Sequence, residues 1–323
     1  MRGQASVTIQ ARGGIGNQLF MYAMARRLAL KSSVPLYVET ESGFNGDFFR
    51  RNYGLDRFHI AGEEVRRAPR SQPARRAAIA VNQMLPFRWR RFCREPGDGA
   101  RAVFDRRILS FKVVRPVFLE GYWQDERYFA DIDAVLRQDL TFRTQHTAAN
   151  LELAAEMRST ESVAVHVRQL HGVPAGVDKP STTIASLPAE YYRAAIMAIR
   201  KRVPRAKIYI FSDSPSHAAL PIGEGDAVRV VNEGDEAQYE DLWLMSQCRH
   251  FVLANSTFSW WGAWLGRTAE SVIASPVMSE WGQRVCLPGG WAALEWRSGS
   301  GFEQSVTAWI EEACGVGAGA EAR

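Results

Sequence analysis

Residues 250–265, HFVLANSTFSWWGAWL, carry the densest chemistry in the chain. An apolar run from Phe251 to Ala254 ends in Asn255, Ser256 and Thr257, and a Trp-rich segment follows at once. The pattern predicts a buried strand feeding a helix through a polar turn. Hydroxyls and unpaired backbone N–H groups at a helix N-terminus stabilise an anion, and ligands of α/β sheets gather at the carboxyl ends of strands. One reading of the turn is therefore a phosphate site at Ser256 and Thr257. The other is a plain helix cap ahead of a core filled by Trp260, Trp261 and Trp264.

Three further stretches hold candidate groups. In SVAVHVR (162–168), His166 and Arg168 share a face under a period of two, at the carboxyl end of a strand. An arginine there can grip a diphosphate bidentately and a histidine can add a hydrogen bond, or the pair can be a half-buried strand end with an ion pair. Asp213 closes KIYIFSD (207–213), where it can accept N–H bonds from a guanine edge or a ribose, or cap a helix before Ser214 and Pro215. GGIGNQ (13–18) is a glycine turn between a strand and a helix, suited to close approach of a phosphate, with Asn17 open to reading as an N-cap. Its spacing is neither GxGxxG nor GxxxxGK[ST]. The DID at 131–133 has a metal-binding spacing but opens a helical pattern, where Asp is expected for dipole reasons. No other metal spacing, GxSxG elbow or Cys–His pair is present.

The elements that must position these groups alternate. A strand at 6–11, the glycine turn and a helix from Gln18 open the chain, with a second strand at 35–39, a strand at 116–124 and a helix around 126–138. The second half runs strand (162–168), helix (189–202), strand (207–213), strand (227–231), helix (239–248), then strand, helix and strand through 250–276, with a closing helix at 302–313. Such alternation predicts parallel sheets covered by helices. Polar residues 141–150 suggest a boundary between an N-terminal domain, 1–145, and a C-terminal domain, 146–323.

The 323 residues are 46% hydrophobic and 23% charged, which describes a soluble globular protein with no apolar run of membrane-spanning length. The N-terminus lacks a signal-peptide core, and Cys93, Cys248, Cys286 and Cys314 lie far apart, so a cytoplasmic location is expected. Asn255-Ser256-Thr257 matches a glycosylation sequon, discounted at a turn after a buried strand. Net charge is +5, concentrated in an arginine-rich segment, residues 50–107, where Phe87, Trp89 and Phe92 interleave with the arginines. That segment suits anionic lipid head groups, a phosphorylated substrate or nucleic acid, or is simply a solvated surface.

Several blocks together resemble glycosyltransferase family 11, the α-1,2-fucosyltransferases: GGIGNQLFMYAMARRLA (13–29), GYWQDERYF (121–129), VAVHVR (163–168), YYRAAI (191–196), IFSDS (210–214) and EDLWLMSQCRHFVLANSTFSWWGAWLG (240–266). The resemblance implies an α/β chain of GT-B type, two facing Rossmann-like domains with a donor cleft between them. The N-terminal domain would be on the acceptor side and the C-terminal domain would bind GDP-fucose. It implies metal-independent transfer with inversion and no cofactor beyond the donor. Carried over, Arg168 holds the β-phosphate, His166 precedes it in the motif, and Asp213 reads guanine. Ser256, Thr257 and Ser259 form the hydroxyl turn at the diphosphate, and Asn17, after Gly14 and Gly16, is the N-terminal contribution. The family's HxRRxD is here His166-Val167-Arg168-Gln169-Leu170-His171. With the acid absent, His171 is the candidate base, Asp178 a second, and a base-free route relying on electrostatics a third. The expected reaction is fucose transfer from GDP-fucose to the 2-hydroxyl of a galactose-type acceptor on a surface glycan or lipopolysaccharide precursor, with possible peripheral contact with anionic membrane and no nucleic-acid partner. The alternatives are another GDP-sugar or linkage, or a non-catalytic homologue that binds GDP-sugar or glycan.

Overall fold

The computed structural model describes residues 4–47, 49–66, 79–97, 103–143, 145–168, 187–213, 227–233, 236–277 and 292–295. They fall into two compact units, one up to residue 143 and one from Gln145. In the first unit, β1 (Ser6–Gln10), β2 (Leu36–Glu39), β3 (Glu63–Val65), β4 (Phe92–Arg94) and β5 (Pro116–Glu120) form a parallel sheet in the order β3-β2-β1-β5-β4. Between β1 and β2 runs α1 (Ile15–Ser32), built on Leu, Met and Ala and buried on most sides. It ends where Ser33 turns left-handed at φ 52° and the Val34 N–H donates to the Ala29 carbonyl.

The second unit is also wholly parallel, in the order β11-β10-β9-β6-β7-β8. Its strands are β6 (Ser162–Val167), β7 (Lys207–Ser212), β8 (Ala227–Arg229), β9 (His250–Val252), β10 (Ile273–Val277) and β11 (Ala292–Glu295). All six residues of β6 are buried, as a central parallel strand covered on both faces requires. Val163, Val165 and Val167 pack with Tyr191, Ala195 and Ile199 of α5 (Ala189–Arg202). Ala164 faces the other way, onto Ala154 and Met157 of α4 (Ala148–Ser159), Met245 of α6 (Ala237–Met245) and Ala263 of α7 (Thr257–Gly266). These two parallel α/β units are the Rossmann-like pair that a GT-B chain requires.

The structure departs from the sequence expectations at several points. Helix α1 begins at Ile15, so Gly16 and Asn17 lie inside its first turn, and the left-handed residue is Gly13 at φ 74°. The helix expected around 126–138 is broken into 3₁₀ turns at Glu126–Tyr128 and Ala130–Ile132 before α3 (Asp133–Asp139). The polar stretch 141–150, read as a domain boundary, leads straight into α4, whose first turn is capped by Thr147 accepting from the Asn150 N–H. A short helix, α2 (79–84), and strands β3 and β4 organise part of the arginine-rich segment. Cys93 and Cys248 are free and buried. Cys286, Cys314 and the helix expected at 302–313 lie outside the described residues.

Helices α6 and α7 approach closely because glycines remove the side chains between them. A Cβ on Gly266 would come within 2.6 Å of the Ser246 carbonyl oxygen and 2.9 Å of the Phe251 ring. Backbone cannot give way as a flexible side chain can, so Gly266→Ala is expected to cost about 1–3 kcal/mol in denaturant unfolding.

Candidate functional site

Strand order marks one place in the second unit. The chain builds outward from β6 through β7 and β8, then returns to β9 on the other side of β6. At a reversal of this kind parallel sheets bind ligands in the crevice at the carboxyl ends of the strands. Arg168 is the first residue past β6, and Ser256 opens α7 just past β9. The register between β6 and β7, Val167 opposite Ser212, brings Arg168 and Asp213 side by side. The Arg168 Nε lies 3.5 Å from Asp213 Oδ2, and both side chains are partly exposed. An exposed pair of this kind is worth about 0–1 kcal/mol, so an incoming anion can compete for the guanidinium.

His166 sits beneath this pair. Its ring is buried 5.4 Å from the Phe258 ring, and its Nδ1 has no hydrogen-bond partner among the described residues. Burial above all, then the Arg168 charge, pushes its pKa down to about 3, with Asp213 opposing. The imidazole is thus neutral at physiological pH, an uncharged ring beneath Arg168.

The hydroxyl turn divides into half-buried and buried residues. Ser256 is the N-cap of α7, with extended backbone and its Oγ accepting from the Phe258 N–H at 3.3 Å. Ser256 and Thr257 are partly exposed. Ser259 is fully buried, and its hydroxyl turns back onto the Ser256 and Ala254 carbonyls at 3.1 and 3.4 Å. Its hydroxyl braces the turn from inside. Trp260, Trp261 and Trp264 are buried against one another, so the cap-and-core reading also describes this segment locally.

The first unit has its own reversal, between β1 and β5. Gly14 caps α1 without a side-chain bond and no acid occupies the first turn, which leaves the positive end of an 18-residue helix uncompensated there. Asn17 accepts from Gln124 Nε2 at 2.8 Å, tying α1 to the loop after β5. Gly16 is buried within the helix, and Gly13 is the glycine the turn needs, because its backbone is left-handed. Around this loop the Arg12 guanidinium lies 4.5 Å from the Tyr122 ring centroid, with its Nε buried and without a hydrogen-bond partner among the described residues. Glu95 accepts the Tyr122 N–H at 2.7 Å, and its carboxyl is pushed above its ordinary value, chiefly by burial. Trp123 is buried in a left-handed conformation, φ 54°, which costs about 1–3 kcal/mol and is typical of built sites.

A group that sequence reasoning missed lies in the second unit. Asn150 Nδ2 donates to Glu240 at 2.7 Å, Asn232 Nδ2 to Asp241 at 2.7 Å, and His146 stacks on Trp243 at 3.5 Å. Asp241 is held up at about 7, first by burial and then by neighbouring Glu240, against the Asn232 hydrogen bond. The adjacent acids of EDLWLM were a visible signal, but the partner Asn150 is on α4, the helix that was not foreseen. Asp131 is held by Arg27 at 2.7 and 3.0 Å and Asp133 by Arg137 at 2.8 Å, so the DID is structural. No group of three His, Cys, Asp or Glu that could hold a metal occurs among the described residues. Gln169, His171 and Asp178 lie outside them.

Residues 100–282 match the model described as Glycosyl transferase family 11, more than half of the chain. The chain belongs to glycosyltransferase family 11. This family 11 protein is 26% identical over 300 residues to an Escherichia coli alpha-1,2-colitosyltransferase, an alignment spanning 90% of this chain and 99% of that one. It is 28% identical over 295 residues to the E. coli O-antigen biosynthesis glycosyltransferase WbnK, covering 82% and 91%. The crystal structure of fucosyltransferase NodZ from Bradyrhizobium aligns over 80% of this chain and 92% of that one, at 15% identity and a TM-score of 0.45. The family 11 chain is a glycosyltransferase.

Asp241 gives the protein a pH signature. An unfolded aspartate loses its proton near pH 3.9, whereas the native group keeps it to about pH 7. Between these values the native state binds more protons, so this group's contribution to stability falls as pH rises through that window. In Asp241→Asn the loss is absent. The melting temperature of the variant minus that of the parent should therefore grow between about pH 4 and about pH 7, then level off.

Proposed function

We propose that this chain transfers fucose from GDP-fucose, with inversion and without a metal, to the 2-hydroxyl of a galactose-type acceptor on a surface glycan precursor. The observation that carries the reading is the placement of Arg168 and the Ser256–Thr257 turn past the carboxyl ends of the paired strands β6 and β9. As the bond from the sugar carbon to phosphate breaks, its electron pair leaves with GDP. A guanidinium, two hydroxyls and the N–H groups opening α7 supply fixed donors where that charge grows. They do there what a divalent cation does in metal-dependent transfer.

Asp213 orients Arg168 and offers acceptor oxygens to a guanine edge. Gly14, at the open N-terminus of α1, and the neighbouring Asn17 add N-terminal contacts. Within the first unit, Arg12, Tyr122 and Glu95 offer a cation, a ring and a carboxylate of the kind that can hold a neutral sugar. The acceptor hydroxyl proton passes to His171, three residues beyond Arg168 in the sequence, while the acceptor oxygen bonds to the sugar carbon from the face opposite GDP. The names of the E. coli relatives support the α-1,2 linkage and an O-antigen setting. The colitosyl name favours, as the second reading, another sugar on the same type of donor.

Calorimetric titration with GDP, GDP-fucose, GDP-colitose, GDP-mannose and UDP-galactose, with and without chelator, tests the donor. Metal-independent preference for GDP-fucose is expected, preference for GDP-colitose establishes the second reading, and no binding overturns both. Arg168→Ala should lower kcat/KM by roughly 10²–10³ with the fold intact, and full activity would remove Arg168 from the site. His171→Ala should lower kcat with donor affinity retained. An unchanged kcat moves the base to Asp178 or removes the need for one.

A further inference from the structure

The amino-terminal edge of the first sheet carries a surface that sugar transfer does not use. Residues 79–91 lead into β4 and residues 103–115 into β5, so both segments lie at the edge opposite the carboxyl ends where the candidate site residues of this unit gather. Asn82 is buried, accepts from the backbone N–H groups of Arg91 and Phe92, and donates to the Phe92 carbonyl at 2.6 Å. It thereby pins α2 to the start of β4. Arg90 reinforces the link by donating to the Leu85 and Gln83 carbonyls. The Phe87 ring meets Phe111 at 5.3 Å, edge to face, and joins the two segments.

Held this way, α2 and the turn after it present apolar side chains outward: Val81 is 63%, Met84 86%, Leu85 40% and Trp89 45% exposed. Arginines surround them. Arg115 lies 4.5 Å and Arg88 6.0 Å from the Trp89 ring centroid, and Arg91 and Arg106 are exposed. Residues 79–92 and 103–115 together hold seven basic side chains and one carboxylate, Asp105. That carboxylate is already bound by Arg107 at 2.8 Å.

We propose that this face docks on an anionic lipid bilayer, with Val81, Met84, Leu85 and Trp89 entering the interface and the arginines meeting phosphate head groups. Exposed aliphatic side chains clustered inside a cationic rim are what a head-group and acyl boundary accepts, and the tryptophan suits its amphipathic depth. A nucleic acid would use the arginines and stack bases on Trp89, but would leave Met84, Val81 and Leu85 in water. The contact is peripheral, because no helix of the described residues is long and apolar enough to cross a membrane.

Co-sedimentation of the full chain with extruded vesicles tests this. The parent should pellet with phosphatidylcholine vesicles containing phosphatidylglycerol, should stay in solution with pure phosphatidylcholine, and should release as salt is raised. Met84→Glu combined with Trp89→Glu should lower the vesicle partition coefficient at least tenfold. Arg88→Ala and Arg91→Ala, at exposed positions that make no core contact, should each lower it about fivefold. A parent that stays in solution, variants that pellet like the parent while melting at the same temperature, or tighter retention by an RNA oligonucleotide than by anionic vesicles would each overturn the proposal. The readout involves no nucleotide or sugar, so it stands or falls separately from the donor titration.

Discussion

Parallel strands all end on the same edge of their sheet, and the backbone at that edge must leave in one direction or the other. Where consecutive strands part to opposite sides, nothing covers the gap between their outgoing loops. In the second unit that gap falls between β6 and β9, and almost everything of chemical interest is placed by it. The register with β7 brings Arg168 against Asp213, and the short run after β9 sets Ser256 at the head of a helix. Neither placement depends on a flexible loop. Both follow from strands whose side chains are locked in the core.

The cost of holding these groups is met by packing behind them. β6 has no solvent face, so its valines and Ala164 each commit to a helix layer. Ser259 gives up its hydroxyl to two carbonyls of the turn, and the tryptophans of α7 fill the space below. The close approach of α7 to α6 fixes the direction in which the α7 N-terminus points. The buried Asn150 and Glu240 and the half-buried Asn232 and Asp241 are tolerated because each has a partner.

Much of this was legible in residue order. The apolar run of β6, the exact span of α5 and the strand–turn–helix around Ser256 all follow from periodicity and cap chemistry. The less legible features are those that depend on what packs against a residue. His166 looks like a phosphate contact beside Arg168, and only the helices covering its face make it neutral. Ser259 looks like one more hydroxyl in a row, yet one turn of helix carries it inside. α4 was hidden because the polar residues 145–147 before it resemble a linker, although Thr147 is its cap. In the glycine turn, the count of glycines misdirects attention to Gly14 and Gly16, while the left-handed backbone belongs to Gly13.

The carboxylate beside Arg168 also acts as a tethered competitor. With Asp213 Oδ2 already 3.5 Å from the guanidinium, the resting site is occupied by an anion of its own. A free phosphate ion meeting Arg168 must displace a group that cannot diffuse away. A ligand anchored elsewhere along its length meets the same rival with its other contacts already formed. The pairing of two strand ends is weak enough to yield, yet it favours a ligand that brings several contacts over one that brings a single charge.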